Sequence, residues 1–162
     1  LVVQFGGAAG TLEKLGDKGK SVRAALAAAL GLADAAQWQS QREGMLALAG
    51  LLAAITGSLG KAGQDIALMA DRGGEIALSG GGGSSAMPHK QNPVAAEALV
   101  TLARFTAVQL GGMGQAVVHE QERSGAAWTL EWLLLPQMAV ATGAALRLAG
   151  TLFASIENMG TD

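Results

Sequence analysis

The sequence predicts an all-α protein built from long antiparallel helices, and three observations support this prediction. Apolar residues recur at alternating spacings of three and four through residues 45–69, the spacing of one face of a long helix. Segments 93–118 and 128–154 are also long, apolar and nearly free of charge. Alanine occurs 33 times and glycine 24 times, so many helix faces carry side chains small enough to let backbones approach closely.

The first part of the chain is expected to be irregular and to lead into a short helix. Residues 1–17 contain a glycine-rich turn and read as an extended or irregular entry. Asp17 or Ser21 is a candidate N-cap for a helix that runs to about Leu30, and Gly31 is its expected stop. Both choices follow from the residue types that helix ends prefer.

The strongest periodic signal lies in a helix predicted over residues 41–72, after a connector at 32–40. Its apolar positions form a seam like the a and d positions of a heptad: Met45, Leu48, Leu52, Ile55, Leu59, Ala62, Ile66 and Met69. A second stripe of small residues consists of Gly50, Ala53, Gly57 and Gly60. Each glycine costs a helix interior about 1 kcal/mol, so this stripe predicts a close-packed partner helix, or otherwise a kink.

The helical pattern stops at residues 73–92 and then resumes. Residues 75–78 are expected to form a short strand, and four glycines follow at 80–83. Pro93 suits the first turn of the next helix, with Asn92 as its N-cap and an end near residue 118. A final helix over 128–154 contains Pro136, which predicts a kink.

Charge and composition exclude several classes of protein. The net charge of −2 and the scattered Lys and Arg argue against nucleic-acid binding. The longest uncharged stretch, residues 44–60, is shorter than the roughly 20 residues of a membrane span, so we expect no membrane helix. The absence of cysteine is compatible with a cytoplasmic location. No signal peptide is visible, and the opening residues Leu1 and Val2 read as the interior of a longer protein.

One loop concentrates the residue types that carry chemistry. Residues 83–93 read GSSAMPHKQNP, with two serines, a histidine, a lysine and an asparagine beside a run of glycines. This order resembles the signature GSSxMPxKxNP of the fumarase/aspartase superfamily, and every fixed position is matched. The segments QFGGAAGT (4–11), QWQSQR (37–42), EQERS (120–124) and WTLEW (128–132) further resemble the 3-carboxy-cis,cis-muconate cycloisomerases of that superfamily. Gln39, Gln121 and Thr129 stand where that family is expected to have histidines.

The resemblance implies an architecture beyond this chain. It implies a long antiparallel helix bundle of the fumarase/aspartase type that forms part of a tetrameric helical core. Residues 1–162 would be the central helical-bundle domain, and the N-terminal and C-terminal domains of the family would be absent. Such tetramers build each active site from segments of three chains, so the expected partner is a second, third and fourth copy of the same chain.

The resemblance also implies a reaction and a set of residues. The reaction passes through an aci-carboxylate intermediate of a small di- or tricarboxylate substrate and uses no metal and no cofactor. Ser84 matches the catalytic serine, and Lys90 would stabilise the negative charge that develops on the substrate. Substrate binding is expected from six further residues: Ser85, Met87, Asn92, Arg123, Gln41 and Arg42.

Two alternatives to a cycloisomerase of aromatic-acid degradation stay open. The first is a sister enzyme that releases fumarate, chiefly adenylosuccinate lyase, which would need a site for a nucleotide phosphate. The second belongs to another class, an inactive fragment that serves only in helical assembly. His119 has no motif support and is interpreted as a polar residue at a helix end, and Trp128 and Trp132 as packing residues on one helical face.

Overall fold

The computed structural model describes residues 1–79, 82–83, 91–120 and 124–160. A 3-10 turn, Glu13–Lys18, leads into α1 (Gly19–Leu30). Three long helices follow: α2 (Glu43–Arg72), α3 (Val94–Gln115) and α4 (Gly125–Ala154). The strands are short: β1 (Ile76–Leu78), β2 (Gly82–Gly83), β3 (Gln91–Asn92) and β4 (Ile156–Met159). The predicted all-α class and the long antiparallel bundle are confirmed.

Helices α2 and α3 pack antiparallel through small residues. The hydroxyls of Thr56 and Thr106 hydrogen-bond to each other, and both residues are fully buried. Further along α2, a Cβ atom built on Gly60 would lie 2.4 Å from the Cβ of Ala103. A Cβ on Gly63 would lie 2.6 Å from the carbonyl oxygen of Ala96. The contacts advance along α2 while they recede along α3, so the two helices run in opposite directions at van der Waals contact.

Helix α4 runs antiparallel to α3 and parallel to α2. Gln109 of α3 donates to Gln137 of α4 at 3.3 Å. Two apolar clusters join the three helices. The first contains Ala49, Met113 and Met138. The second contains Ile66, Ala70, Ile76, Leu78, Ala96, Leu99, Ala145, Ala149 and Leu152.

The predicted seam of α2 differs from the face that is most deeply buried. Seven of its eight residues are only half-buried, and Ile66 alone is fully covered within the described chain. The deeply buried stripe consists instead of Ala49, Thr56, Gly60, Gly63, Ile66 and Ala70. Of the predicted small-residue stripe only Gly60 is buried, while Gly50 and Gly57 have no atom within 4 Å of a built Cβ. The larger apolar residues of the seam therefore stay partly open to solvent.

Several predicted helix ends need correction. Lys18, not Asp17 or Ser21, is the N-cap of α1, because the helix begins at Gly19, and Ser21 lies inside its first turn, where its hydroxyl donates to the Lys18 carbonyl at 2.9 Å. The expected stop is right, since Gly31 adopts the left-handed conformation (φ 64°) at the end of α1. Asn92 lies in β3, so Pro93 takes the N-cap position of α3.

The ends of α3 and α4 also differ from the prediction. Helix α3 ends at Gln115 rather than near residue 118, and α4 begins at Gly125 rather than at 128. The buried Ser124 caps α4 by accepting from the Ala127 amide at 3.4 Å, which starts the helix earlier. Pro136 lies inside α4, which continues through it to Ala154.

The strands near the end of the bundle were only half predicted. The strand expected at 75–78 forms as β1, but it pairs antiparallel with β4, which the sequence did not indicate. Strand β4 begins at Ile156, two residues after the end of α4, and lies beside β1. The Ser79 amide also donates to the Ser155 carbonyl at 2.8 Å. The pairing closes one end of the bundle.

The three long helices are each long and apolar enough to cross a membrane by length and composition. Their most apolar windows have mean hydropathies of 1.5, 1.2 and 1.3. The expectation of no membrane helix rested on the uncharged stretch alone, whereas the most apolar segment of each helix contains at most two charged residues. The absence of a membrane span stays a prediction.

The close approach of α2 and α3 predicts a specific sensitivity at Gly60. Gly60→Ala should destabilise the protein by about 1–3 kcal/mol, because the new methyl overlaps Ala103. Gly57→Ala, in the same helix with open space around it, should instead stabilise by about 0.5–1 kcal/mol through helix propensity. Urea unfolding of both variants measures the difference. Equal effects of the two substitutions would contradict the described packing.

Candidate active site

Three of the eight predicted site residues lie in the described part of the chain. These are Gln41, Arg42 and Asn92. The other five lie outside the described residues: Ser84, Ser85, Met87, Lys90 and Arg123. Gln41 and Arg42 lie at the N-terminal end of α2, whereas Asn92 lies just before α3, whose first turn packs against the C-terminal half of α2. The described chain therefore does not bring these three residues together.

The two ends of the signature motif are joined by backbone pairing. Strand β2 pairs antiparallel with β3, with Gly82 opposite Asn92 and Gly83 opposite Gln91. Asn92 is half-buried, and α3 begins two residues later at Val94. The chain thus enters and leaves residues 84–90 at one place, at the N-terminal end of α3.

Arg42 is buried and bound to Glu131. Its Nε donates to one carboxylate oxygen of Glu131 at 2.8 Å and its Nη2 to the other at 2.5 Å. The side chains are 10% and 4% exposed, and the two residues are 89 positions apart in the chain. Gln41, the preceding residue, is exposed. The pair joins the N-terminal end of α2 to the second turn of α4.

The aromatic ring of Trp38 links this ion pair to the start of the chain. The guanidinium carbon of Arg42 lies 5.1 Å from the Trp38 ring centroid, which is cation–π distance. The Trp38 indole N–H donates to the Val3 carbonyl at 3.1 Å, and its backbone N–H donates to the Gln4 side chain at 3.1 Å. Trp38 therefore fixes the entry segment and the guanidinium together.

His119 completes the buried cluster on the other side of Glu131. Its side chain is 0% exposed, and its Nε2 lies 3.7 Å from Glu131 Oε1. Its ring meets the Trp128 ring edge-on, with centroids 6.4 Å apart, and neither ring nitrogen has a hydrogen-bond partner among the described residues. The sequence interpretation missed this placement of His119. One signal was available in the sequence: Glu131 is one of only two charged residues in the apolar segment that forms α4. A carboxylate buried in such a helix needs a polar partner, and His119 is one of the few candidates.

The residues on either side of positions 121–123 also interact. A hydrogen bond from the Ser124 hydroxyl is the main cause that lowers the pKa of the Glu120 carboxyl; its own backbone amide and His119 act in the same direction. Glu120 is exposed and Ser124 is buried. Ser124 thus serves both as the cap of α4 and as a donor to Glu120.

The glycine-rich entry is braced by two glutamines. Gln39, at one of the expected histidine positions, is buried and donates from Nε2 to the Ala8 carbonyl at 3.3 Å. Gln37 donates to the Gly10 carbonyl. A Cβ on Gly6 would lie 2.8 Å from Gln39 Oε1 and 3.2 Å from the Gly10 Cα, so a larger residue there would require the Gln39 side chain to shift.

Of the two other positions where histidine was expected, one lies in the described part of the chain. Thr129 is exposed, and its hydroxyl donates to the Gly125 carbonyl at 2.7 Å, while Gln121 lies outside the described residues. Within residues 1–79, 91–120 and 124–160, no group of three or more His, Cys, Asp or Glu side chains is placed to hold a metal ion. That the protein uses no metal stays a prediction.

Comparisons with known proteins agree with this architecture. Residues 1–108 match the model of a protein family described as lyase. A curated 3-carboxy-cis,cis-muconate cycloisomerase of Pseudomonas aeruginosa is 42% identical over 97% of this chain and 35% of its own length. A crystal structure of 3-carboxy-cis,cis-muconate lactonizing enzyme from Pseudomonas putida aligns with a TM-score of 0.84 and 39% identity, over 97% of this chain and 35% of that one.

A second solved structure is also similar. Fumarate lyase from Mesorhizobium sp. BNC1 aligns with a TM-score of 0.80 and 33% identity, over 99% of this chain and 35% of that one. The chain thus spans about a third of the length of the proteins it matches. The family match over two-thirds of its residues, the helical fold and the signature motif agree, and the chain belongs to the lyase family of the fumarase/aspartase superfamily.

Proposed function

We propose that this chain is part of a cycloisomerase that lactonises 3-carboxy-cis,cis-muconate in aromatic-acid degradation. The observation that carries the proposal is the similarity, along nearly the whole chain, to the lactonizing enzyme named above. The intact signature motif at 83–93 supports an active rather than a degenerate member. In this proposal the enzyme is cytoplasmic and uses no cofactor.

The proposed chemistry needs one proton-transfer group and one fixed positive charge. A carboxylate oxygen of the substrate adds to a carbon of the double bond, and the electron pair of that bond moves onto the carbon beside the other carboxylate. This aci-carboxylate carries two negative charges, which Lys90 would stabilise together with the Asn92 amide. Ser84 would then give its hydroxyl proton to that carbon, and the adjoining glycines allow backbone N–H groups to turn toward the serine oxygen.

The position of Asn92 supports this division of roles. Asn92 is half-buried in β3, opposite Gly82, so the backbone on both sides of residues 84–90 is held in register. A side chain on a paired strand has fewer positions available than one on a free loop. Asn92 is therefore suited to orient a carboxylate rather than to move with it.

A second candidate is a lyase reaction on a related substrate. The similarity to fumarate lyase from Mesorhizobium sp. BNC1 favours it. The reaction runs in the opposite chemical sense, since the proton beside the carboxylate is removed and a group leaves the neighbouring carbon. The same serine and lysine would serve, so substrate tests decide between the two.

Substitutions in the signature motif test the roles of its residues. In the full-length protein, Ser84→Ala should lower kcat by at least ~10²-fold with little change in substrate binding, because the hydroxyl acts in the transition state. Lys90→Met should weaken both binding and turnover, because the charge acts in the ground state as well. Ser85→Ala should be milder than Ser84→Ala. Loss of 3-carboxy-cis,cis-muconate absorbance measures turnover, with adenylosuccinate as the comparison substrate.

The outcomes that contradict this assignment are distinct. Near-full turnover of Ser84→Ala together with an inactive Ser85→Ala would move the catalytic role to the second serine. Turnover of adenylosuccinate alone would assign the protein to the sister lyases.

We also propose that the protein assembles as a homotetramer through its long helices. The half-buried seam of α2 is available for a second copy, since only one of its eight residues is fully covered within the described chain. An open apolar groove of about 460 Å³ runs between α3 and α4, lined by Leu102, Phe105, Pro136, Gln137, Val140, Ala141 and Ala144. Val108 and Val140 are 76% and 74% exposed. Contiguous apolar surface of this kind marks an interaction site.

Sedimentation of the full-length protein tests the assembly. We expect a tetramer, and Val140→Glu, which places a charge in the groove, should shift the equilibrium toward smaller species. Val22→Glu, on the exposed side of α1, is the matched control and should leave the tetramer intact. A stable, well-folded monomer of the unaltered protein would contradict the proposal.

A further inference from the structure

Gly63 of α2 lies against the backbone of the first turns of α3. A Cβ atom built on Gly63 would lie 2.6 Å from the Ala96 carbonyl oxygen and 3.0 Å from the Leu99 Cβ. All three residues are buried. Glycine destabilises a helix interior relative to alanine, and Gly63 does not have the positive φ that would require glycine. The close approach of α3 is therefore the reason for glycine at this position.

The contact at Gly63 differs in kind from the contact at Gly60. At Gly60 the nearest atom of α3 is the Cβ of Ala103, a side-chain atom that a substitution can remove. At Gly63 the nearest atom is the backbone carbonyl oxygen of Ala96, which every residue type would carry. A methyl group on Gly63 can therefore be accommodated only if the backbones of α2 and α3 move apart.

The first turn of α3 is joined stiffly to Asn92. The Ala96 and Glu97 amides donate to the Pro93 carbonyl at 2.8 and 3.1 Å, so Pro93 is part of the helix start. The proline ring fixes the φ of Pro93 and restricts the backbone of the preceding residue, Asn92, to extended conformations. Asn92 is also paired with Gly82, and strand β3 itself lies against α2. A displacement at Ala96 is therefore passed on to Asn92 rather than absorbed by a flexible link.

We propose that Gly63 is a positioning residue for the reaction: it lets the first turn of α3 rest directly on α2 and thereby sets the place of Asn92 at the end of the signature motif. The inference rests on the proposed function for the role of Asn92, whose amide would help to stabilise the aci-carboxylate. A catalytic group must be held within about 0.5 Å of its productive position. Relief of an approach at 2.6 Å requires a displacement of that order.

Gly63→Ala and Gly60→Ala in the full-length protein separate positioning from stability. Both substitutions place a methyl group in the contact of α2 with α3, so both should lower the melting temperature. Only Gly63→Ala should also lower kcat, by about tenfold, because only this change displaces the turn that carries Asn92. Ala103→Gly should restore the melting temperature of Gly60→Ala, since it removes the atom that the new methyl meets. Equal kcat values of the two single variants would overturn the proposal.

A double variant shows whether Gly63 acts through Asn92. If it does, adding Gly63→Ala to Asn92→Ala should lower kcat by less than about twofold more, because the displaced amide is already gone. A further loss of about tenfold in the double variant would show a general disturbance of the protein and would overturn the proposal.

Pro93→Ala decides the question if Gly63→Ala does not fold. This change adds no atom to the contact of α2 with α3, but it gives the backbone of Asn92 more freedom. Turnover should therefore fall severalfold while the helices keep their packing. An unchanged kcat of Pro93→Ala would overturn the proposal, because the stiff link to Asn92 would then have no effect on the reaction.

The assays use whichever substrate the unaltered protein converts, 3-carboxy-cis,cis-muconate or adenylosuccinate. Conversion of the second alone would refute the proposed function, while the ratios of kcat between variants would still decide the role of Gly63.

Discussion

The buried ion pair of Arg42 and Glu131 is the constraint on which the arrangement of this structure depends. Among the described residues, two apolar clusters also join α2 to α4, and apolar contacts are not directional, whereas a two-pronged hydrogen bond allows one register and one rotation. A partner left alone would be an uncompensated buried charge, so neither side chain can be lost singly at low cost. Through Trp38 the pair also ties the first residues of the chain to the bundle. The pair therefore joins α2, α4 and the entry segment at one end of the bundle.

Small side chains determine how closely α2 and α3 approach each other. Gly60 and Gly63 bring α2 against the backbone of α3, and the Thr56 and Thr106 hydroxyls satisfy each other inside that contact. Because small residues take the intramolecular face, the larger apolar side chains of α2 face elsewhere and remain half-buried. Folding of one chain therefore removes only part of their apolar surface from water, and the stabilisation from that burial is incomplete. This division between a small-residue inner face and a large-residue outer face suits helices that pack both within and between subunits.

The sequence predicted the elements whose signals are local. The spacing of apolar residues predicted a helix over 41–72, which ends where α2 ends and begins two residues early, and Gly31 marked the end of α1. Both signals act within a few residues, because periodicity and a left-handed stop are local. The N-cap assignment at Asn92 failed because backbone pairing with Gly82 competes with capping. The pairing of β1 with β4 was missed, since its partners lie about 80 residues apart and their sequences carry no mark of each other.

The same distinction applies to the site. The signature motif is contiguous, so a resemblance could identify Ser84 and Lys90 as candidates, and these residues stay predictions because they lie outside the described chain. The resemblance singled out Arg42 as a substrate-binding residue, but its partner Glu131 is 89 residues away and only the fold brings the two together. No motif around His119 marked it in the sequence, and only the fold shows that its side chain is buried beside the Glu131 carboxylate.

A crystal structure of the full-length protein with a bound tricarboxylate substrate or product tests the central claim most directly. We expect Arg42 to keep both hydrogen bonds to Glu131 and the Trp38 ring to stay against its guanidinium, with and without the ligand. A ligand carboxylate bound by the Arg42 guanidinium, with Glu131 displaced, would contradict the account.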